Sequence, residues 1–338
     1  MFILGLSSSP RIKGNSNYLL SLFMEQAENR GCETATIHAA KTDYAPCIGC
    51  GYCEKNGFCS IKDSLVDDIF PLFRKADLIV LASPVYFYGI PARMKAIIDR
   101  SQTLWSRRYK FEINDPKASC RKAILLSAGA SNGHSLFDGI RLTAKYFFDA
   151  IGAEFAGEVC CPGVEERIAI KSLVEEYIYG TSGAGGKIKK DIESLAEKLL
   201  TPMQHRKKIM FACRENAGRS QMAAAFARHI AGDRYDVLSA GSQPAKIINP
   251  VAVAAMAEKG LDIAFTQPCS IEDALKGVGG KIDIMVTMGC GESCPFIPGC
   301  KIVDWNLPDP SGQSVEGVRK IRDEILKQVQ YLLKITTD

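Results

Sequence analysis

Lys208-Ile209-Met210-Phe211-Ala212-Cys213-Arg214-Glu215-Asn216-Ala217-Gly218-Arg219-Ser220 runs from a short apolar strand, through a cysteine, to an arginine six positions later. An alanine-rich helical run follows from Gln221. A loop that leaves a strand and opens a helix gathers several free backbone N–H groups in one small space, at the positive end of the helix dipole. That space suits an oxyanion. The same field favours a thiolate, so Cys213 is expected to be nucleophilic near neutral pH, with Ser220 donating a hydrogen bond to its sulfur. Arg219 adds a planar fork of donors matched to a tetrahedral anion. Far along the chain, Asp304-Trp305-Asn306-Leu307-Pro308-Asp309-Pro310 places the Asp309 carboxyl on a proline-stiffened loop, able to protonate a leaving oxygen. Taken alone, an Asp-Pro pair is usually only a turn.

Together these parts are specific. Residues 207–338 resemble the low-molecular-weight protein tyrosine phosphatase fold, and within it the arsenate reductase branch. The resemblance rests on Cys213 through Ser220, Gln221-Met222-Ala223, Ser239-Ala240-Gly241 with Pro244, Asn249-Pro250 and Asp309-Pro310. It implies Cys213 as nucleophile, Asn216, Arg219 and Ser220 as its companions in the loop, and Asp309 as acid. A second thiol separates the two branches, because arsenate reduction takes two electrons and the reductases draw them from cysteines that close a disulfide. Val286-Thr287-Met288-Gly289-Cys290-Gly291-Glu292-Ser293-Cys294-Pro295 stands where those reductases carry their resolving cysteines. The spacing of Cys290 and Cys294 is shorter than in the thioredoxin-coupled reductases. Cys290 acting alone, Cys290 with Cys294 or Cys300, and an external thiol therefore all stay open as resolving routes. The plain alternative is that these cysteines are small packing residues.

The first 200 residues carry a different pattern. Phe2-Ile3-Leu4-Gly5-Leu6 is a buried-strand run, followed by Ser7-Ser8-Ser9-Pro10-Arg11, Gly14-Asn15-Ser16 and an apolar helix from near Tyr18. Hydroxyls, amide N–H groups and an arginine at a strand-to-helix turn can hold a terminal phosphate. A second strand, Leu78-Ile79-Val80-Leu81-Ala82, leads into Ser83-Pro84-Val85-Tyr86-Phe87-Tyr88-Gly89-Ile90-Pro91. An aromatic loop at the carboxyl end of a parallel strand is where an α/β sheet accepts a flat heteroaromatic ring. A third strand, Ala123-Ile124-Leu125-Leu126-Ser127, empties into the small residues Ala128-Gly129-Ala130-Ser131. Three such loops on one sheet edge imply a flavin mononucleotide (FMN) site.

Residues 1 to about 180 resemble the flavodoxin-like iron–sulfur flavoproteins and their NADPH-dependent FMN reductase relatives. The resemblance implies that Ser9, Arg11, Asn15 and Ser16 grip the phosphate, with Ser7 beside them. It implies too that Pro84, Val85, Tyr86, Phe87, Tyr88 and Gly89 border the isoalloxazine, with Ala128 and Gly129 nearby. Tyr86 and Tyr88 have the further reading of core or subunit-interface aromatics. Between the first two of these strands lies the densest cysteine run, Cys47-Ile48-Gly49-Cys50-Gly51-Tyr52-Cys53 and then Cys59. Short glycine-containing turns let successive thiolates face one centre, so Cys47, Cys50, Cys53 and Cys59 are candidate ligands of a [4Fe–4S] cluster. This resembles the compact motif of the iron–sulfur flavoproteins. Four thiolates also satisfy zinc, and thiols without metal are the third reading.

Composition fits this picture. A chain of 338 residues allows two domains of ordinary size. No run is long and apolar enough to cross a bilayer, and Met1 leads straight into a strand, so a cytoplasmic protein without membrane attachment is expected. Thirteen cysteines in such a compartment point to metal ligation or catalysis more than to structural disulfides. A net charge of +4 is too small at this length to argue for nucleic acid, and Arg107-Arg108 with Lys110 reads as a solvated loop. Four histidines leave little room for His-based metal or catalytic sites. Cys32, Cys120, Cys160, Cys161 and Cys269 read as packing residues.

Gly183-Ala184-Gly185-Gly186 is expected to break the chain, Lys187 to Leu200 to form an amphipathic helix, and 201–206 to be a polar connector. The expected architecture is α/β, with two doubly wound parallel-sheet domains, flavodoxin-like over 1–200 and phosphatase-like over 207–338. The expected activity is reduction of arsenate to arsenite by thiolate attack and disulfide formation, with a fused flavin and iron–sulfur module. NAD(P)H, a ferredoxin or a thioredoxin-like protein is the expected electron donor. The iron–sulfur flavoprotein resemblance implies a homodimer or larger assembly. Two other readings stand beside it: a phosphatase fused to an NAD(P)H-dependent FMN reductase, and an arsenite-binding or electron-carrier protein without turnover.

Overall fold

The computed structural model describes residues 1–165, 169–178, 184–289 and 297–335. They divide into two compact units, one of Phe2–Phe111 with Arg121–Gln204, the other of Met1, Glu112–Cys120 and His205–Asp338.

The first unit runs β1 (Phe2–Ser7), α1 (Asn15–Glu28), β2 (Glu33–His38), α2 (Tyr52–Asn56), α3 (Phe70–Lys75), β3 (Leu78–Pro84), α4 (Ala92–Arg100) and α5 (Gln102–Tyr109). It continues with β4 (Lys122–Ala128), α6 (Asp138–Ala150), β5 (Glu154–Cys161), α7 (Ala169–Ile178) and α8 (Ala184–Gln204). Its sheet is parallel in the order β2-β1-β3-β4-β5, the flavodoxin-like doubly wound order. Central strands covered on both faces read as unbroken apolar runs, and β1 is buried at every residue. The edge strand β2, Glu-Thr-Ala-Thr-Ile-His, is half-exposed and has no such run. The cysteine-rich segment therefore follows β2, the second strand in the chain, rather than lying directly between the two apolar strands.

Helix α8 corrects the expected boundary. Ala184-Gly185-Gly186 forms its first turn and Thr201-Pro202-Met203-Gln204 its last, so among the described residues 184–204 are helix rather than break or connector, and Gly183 lies outside the described residues. Its face of Ile192, Ala196, Leu199 and Leu200 is buried, and that packing overrides the weak helical preference of glycine and proline. Gly185 serves close packing, since a Cβ there would run into the backbone of Leu173 on α7.

Arg121 anchors the lower edge of this unit. Fully buried, it donates from Nε to the Ala76 carbonyl (2.9 Å), from Nη1 to Ile151 (3.0 Å) and Gly152 (3.1 Å), and from Nη2 to Arg74 (3.1 Å). These are the carbonyls that the ends of α3 and α6 leave without intrahelical partners, at the negative poles of both helices. Arg121→Leu strands four buried acceptors and is expected to destabilise the protein by about 3 kcal/mol or more, measurable as a lower midpoint in chemical denaturation.

The second unit runs β6 (Lys207–Cys213), α9 (Arg219–Ala231), β7 (Tyr235–Gly241), α10 (Pro250–Ala257), α11 (Ile271–Lys276), β8 (Ile284–Met288), β9 (Lys301–Asp304) and α12 (Val315–Ile335). Its parallel sheet has the order β7-β6-β8-β9. Helix α9 is buried along most of its length, and its small alanines let it sit closely between the sheet and α12. Residues Glu112–Cys120 belong to this unit, which corrects the assignment of 1–200 to one domain. The Asn114 N–H donates to the Gly260 carbonyl (2.7 Å) and its carbonyl accepts from the Asp262 N–H (2.8 Å). Backbone pairing between such distant residues leaves no local pattern in the sequence.

Candidate functional site

Strand β6 ends at Cys213 and α9 begins at Arg219, so the intervening residues wrap a hollow of about 270 Å³. No side chain caps α9, which leaves its leading N–H groups for an anion. Asn216 organises the loop. It is fully buried and holds φ +51°, a left-handed conformation that asparagine tolerates better than most residues. Its N–H donates to Cys213 Sγ (3.2 Å), its Nδ2 donates to Ser220 Oγ (2.8 Å), and its Oδ1 accepts from the Cys269 N–H (2.9 Å) and Gln221 Nε2 (3.1 Å). Because Ser220 Oγ accepts from Asn216, its own proton is free for the Cys213 sulfur 3.0 Å away. A Cβ on Gly241, the sheet neighbour of Cys213, would come within 2.8 Å of both the Arg214 carbonyl oxygen and the Asn216 nitrogen.

Across the hollow, Arg219 donates to the Leu307 carbonyl (3.2 Å) and to Asp309 Oδ2 (2.5 Å). The arginine is nearly buried while the Asp309 side chain is 55% exposed, so the carboxyl keeps access to water. Asp309 Oδ1 accepts from the Ser311 N–H (2.9 Å), and Gln313 Nε2 donates to the Asp309 carbonyl (2.7 Å). Pro310 closes against Gly218, where a Cβ would fall 2.7 Å from the proline Cγ. Strand β8 sets Met288 beside Cys213, and a Cβ on Gly289 would lie 3.1 Å from Arg219 Nη1. Cys290 and Cys294 lie outside the described residues. Cys300 is half-buried against Met285 and its neighbours, and burial pushes its thiol up.

The second hollow, about 570 Å³ and open to solvent, lies at the carboxyl edge of the first sheet. Loops after β1, β3 and β4 form it, at the point where strand order reverses. Ser9, Arg11, Asn15, Ser16, Pro84, Val85, Tyr86, Ala128 and Gly129 line it, together with Gly14, Ala130, Val164 and Glu165. Ser7 does not reach it. That residue is fully buried and donates to Asn17 Oδ1 (2.6 Å). Asn17 Nδ2 in turn donates to the Arg11 (3.0 Å) and Ile12 (3.1 Å) carbonyls, which shapes the loop from inside. Phe87 and Tyr88 occupy the tip of a tight turn closed by Tyr86 and Gly89, with φ +48° and +60°. They and Gly89 stand outside the lining of the hollow, and Phe87 is wholly exposed.

Cys47, Cys50, Cys53 and Cys59 line a third hollow of about 320 Å³, with Arg100 and Thr103 beside them. Gly49 and Gly51 both hold φ +66° with open space where a Cβ would stand, so backbone freedom is their use. Ser60 Oγ lies 3.2 Å from Cys50 Sγ and draws that thiol down, whereas burial raises Cys53. Among the described residues no group of three or more His, Cys, Asp or Glu is arranged as metal ligands. Arg107 is not solvated as expected. It lies on α5, is buried, donates to the Gly57 carbonyl (3.2 Å) and stacks 4.7 Å from the Phe58 ring.

Comparison with known proteins agrees with both halves. The family model described as NADPH-dependent FMN reductase matches residues 1–139, and that of the low molecular weight phosphotyrosine protein phosphatases matches 208–337. An iron–sulfur flavoprotein of Methanosarcina thermophila is 38% identical over 181 residues, covering 52% of this chain and 91% of its own. The glutaredoxin arsenate reductase of a Synechocystis species is 34% identical over 130 residues, covering 38% of this chain and 96% of its own. The chain belongs to the iron–sulfur flavoprotein and arsenate reductase families, joined in tandem. A solved structure of a thioredoxin-dependent arsenate reductase from Corynebacterium glutamicum is similar to 49% of the chain and covers 94% of its own, at 26% identity and a TM-score of 0.33.

In the arsenate reductase part, the structure gathers Cys213, Asn216, Arg219, Ser220 and Asp309 around one hollow. Glu215 and Ser311, not assigned a role from sequence, and Asn249, quoted there only for the resemblance, complete its wall. In the flavoprotein part, Val164 and Glu165 come from a loop after β5, and no local motif marks them. Cys160 and Cys161 are pushed up to about 12 by burial first of all, in keeping with packing roles. Asn216→Ala removes the amide that holds Ser220, and Ser220→Ala removes the hydroxyl 3.0 Å from the Cys213 sulfur. Each is expected to slow alkylation of Cys213 about tenfold, read as peptide-resolved iodoacetamide labelling by mass spectrometry.

Proposed function

We propose that this protein reduces arsenate to arsenite at the Cys213 loop, with its flavoprotein part serving electron delivery. The observation that carries this reading is the Cys213 sulfur, held by the Asn216 N–H and Ser220 at the mouth of an uncapped helix, with Arg219 and Asp309 opposite. Arsenate seats its oxygens on the loop N–H groups and the Arg219 fork. The Cys213 thiolate forms a bond to arsenic, and Asp309 gives its proton to the departing hydroxide, which leaves as water. Cys290 then attacks the Cys213 sulfur. A disulfide forms, the As–S bond breaks, and its electron pair passes to arsenic, which departs as arsenite. Met288 is the sheet neighbour of Cys213, and the two residues on to Cys290 span at most about 7 Å, which supports Cys290 as the resolving thiol. None of the described residues lining the hollow is aromatic.

The hollow after β1, β3 and β4 fits FMN. Helix α1 has no side-chain cap, which leaves its leading N–H groups for a terminal phosphate. Ser9, Arg11 and Ser16 would hold the phosphate, while Pro84, Val85 and Tyr86 flank the ring. Asn15 binds the loop together as well, since its Nδ2 donates to Val164 (3.4 Å) and its Oδ1 accepts from the Ile170 N–H (3.2 Å). Cys47, Cys50, Cys53 and Cys59 share one hollow, and a [4Fe–4S] cluster fits that thiol set better than a hard cation would. When bound, FMN and the cluster supply electrons, taken from NAD(P)H or a small redox protein, to the Cys213–Cys290 disulfide. Among the described residues no helix is long and apolar enough to cross a membrane.

Cys213→Ser is expected to abolish arsenite formation in an anaerobic assay with reduced protein. Cys290→Ser is expected to stop arsenite release while arsenate still protects Cys213 from alkylation; release at the wild-type rate would transfer the resolving role to another thiol. Arg11→Ala is expected to weaken FMN binding about tenfold through loss of a charge-assisted contact, measured by fluorescence titration of the deflavinated protein.

A further inference from the structure

Two donors are buried beside the four-cysteine hollow without an oxygen acceptor. Arg100 closes α4 with a side chain that is 0% exposed. Its Nη1 donates to the Ala45 carbonyl (3.1 Å) and to Asp63 Oδ2 (2.5 Å), and its Nη2 donates to the Ile61 carbonyl (3.0 Å), while Nε has no partner. Ser106 on α5 is fully buried, and its Oγ has no partner other than the Cys53 sulfur. Unsatisfied buried donors are rare because each loses its water without recompense. Both stand against sulfur. Arg100 lines the hollow and Cys59 lies within reach of its guanidinium.

The charge balance points the same way. Arg107, a second buried guanidinium, lies on α5, seven residues on from Arg100, and holds the Gly57 carbonyl between Cys53 and Cys59. Arg100 pairs with Asp63, and a guanidinium keeps its charge even when enclosed. Four thiolates around one centre are the anion that such a floor complements.

We propose that Arg100 and Ser106 donate hydrogen bonds to the cysteine-held sulfurs, Arg100 toward Cys59 and Ser106 toward Cys53, and thereby raise the reduction potential of the cluster. This rests on the assignment of the four cysteines as cluster ligands. Reduction adds one electron and one negative charge to the centre, with no bond made or broken. A fixed cation and aimed donors stabilise the added charge more than they stabilise the oxidised state. Arg100 and Ser106 are thus positioning residues that act on the electron carrier through its ligands.

The test uses full-length protein purified without oxygen, as wild type, Arg100→Gln, Arg100→Lys and Ser106→Ala. Iron and sulfide are counted, and the cluster is titrated potentiometrically by the electron paramagnetic resonance of its reduced form. Arg100→Gln is expected to shift the reduction equilibrium at least tenfold toward the oxidised cluster, about 59 mV for one electron. Arg100→Lys is expected to recover part of that shift, and Ser106→Ala to give a smaller one of the same sign. A purely architectural role would lower cluster content and leave the potential of the remaining clusters in place. Full iron with unshifted potentials in Arg100→Gln and Ser106→Ala overturns the proposal alone. Wild-type protein that holds zinc, or neither iron nor sulfide, overturns the ligand assignment and the proposal with it. Should Arg100→Gln fail to retain iron, Ser106→Ala decides by the same criterion.

Discussion

The hydrogen bond from the Asn216 N–H to the Cys213 sulfur exists only because Asn216 accepts a left-handed backbone, and the chemistry of the second unit depends on that turn. With the backbone reversed there, the N–H points inward to the strand end it has just left. The side chain then repays the distortion, since its amide donates to Ser220 while its carbonyl accepts from Cys269 and Gln221. One buried side-chain amide therefore satisfies three groups that the sheet and helix ladders cannot reach.

The first unit solves the same problem with Asn17. There too a chain leaves a central parallel strand and must turn before its helix, and an asparagine links a strand-end serine to two loop carbonyls. A short side chain with both donor and acceptor replaces the missing ladder partner at such exits. Each sheet places its first strand between its second and third, and each unit has a hollow at its carboxyl edge.

Buried arginine is the other recurring device. Arg121 gathers helix-end carbonyls, Arg219 joins the anion loop to Leu307 and Asp309, and Arg100 ties three segments around the cysteine hollow. A guanidinium carries five donors in a plane and never loses its charge, so it can be enclosed where acceptors converge. Sequence patterns assign arginine to the surface by default, which is why Arg107 read as solvated although it is packed on Phe58.

The sequence by itself determined the two parallel-sheet units, the strand-to-helix loop from Cys213 to Ser220, and most of the residues lining the hollow after β1, β3 and β4, because each rests on residues adjacent in the chain. An apolar strand, a turn of small or polar residues and an amphipathic helix are local patterns, and the physics that makes them is local too. Only the tertiary structure decided that Asp309 meets Arg219, that Glu112–Cys120 joins the second unit, that Val164 and Glu165 wall the same hollow, and that Gly185 packs inside a helix. Those outcomes depend on which distant surfaces exclude water together, and burial of that kind carries no period along the chain.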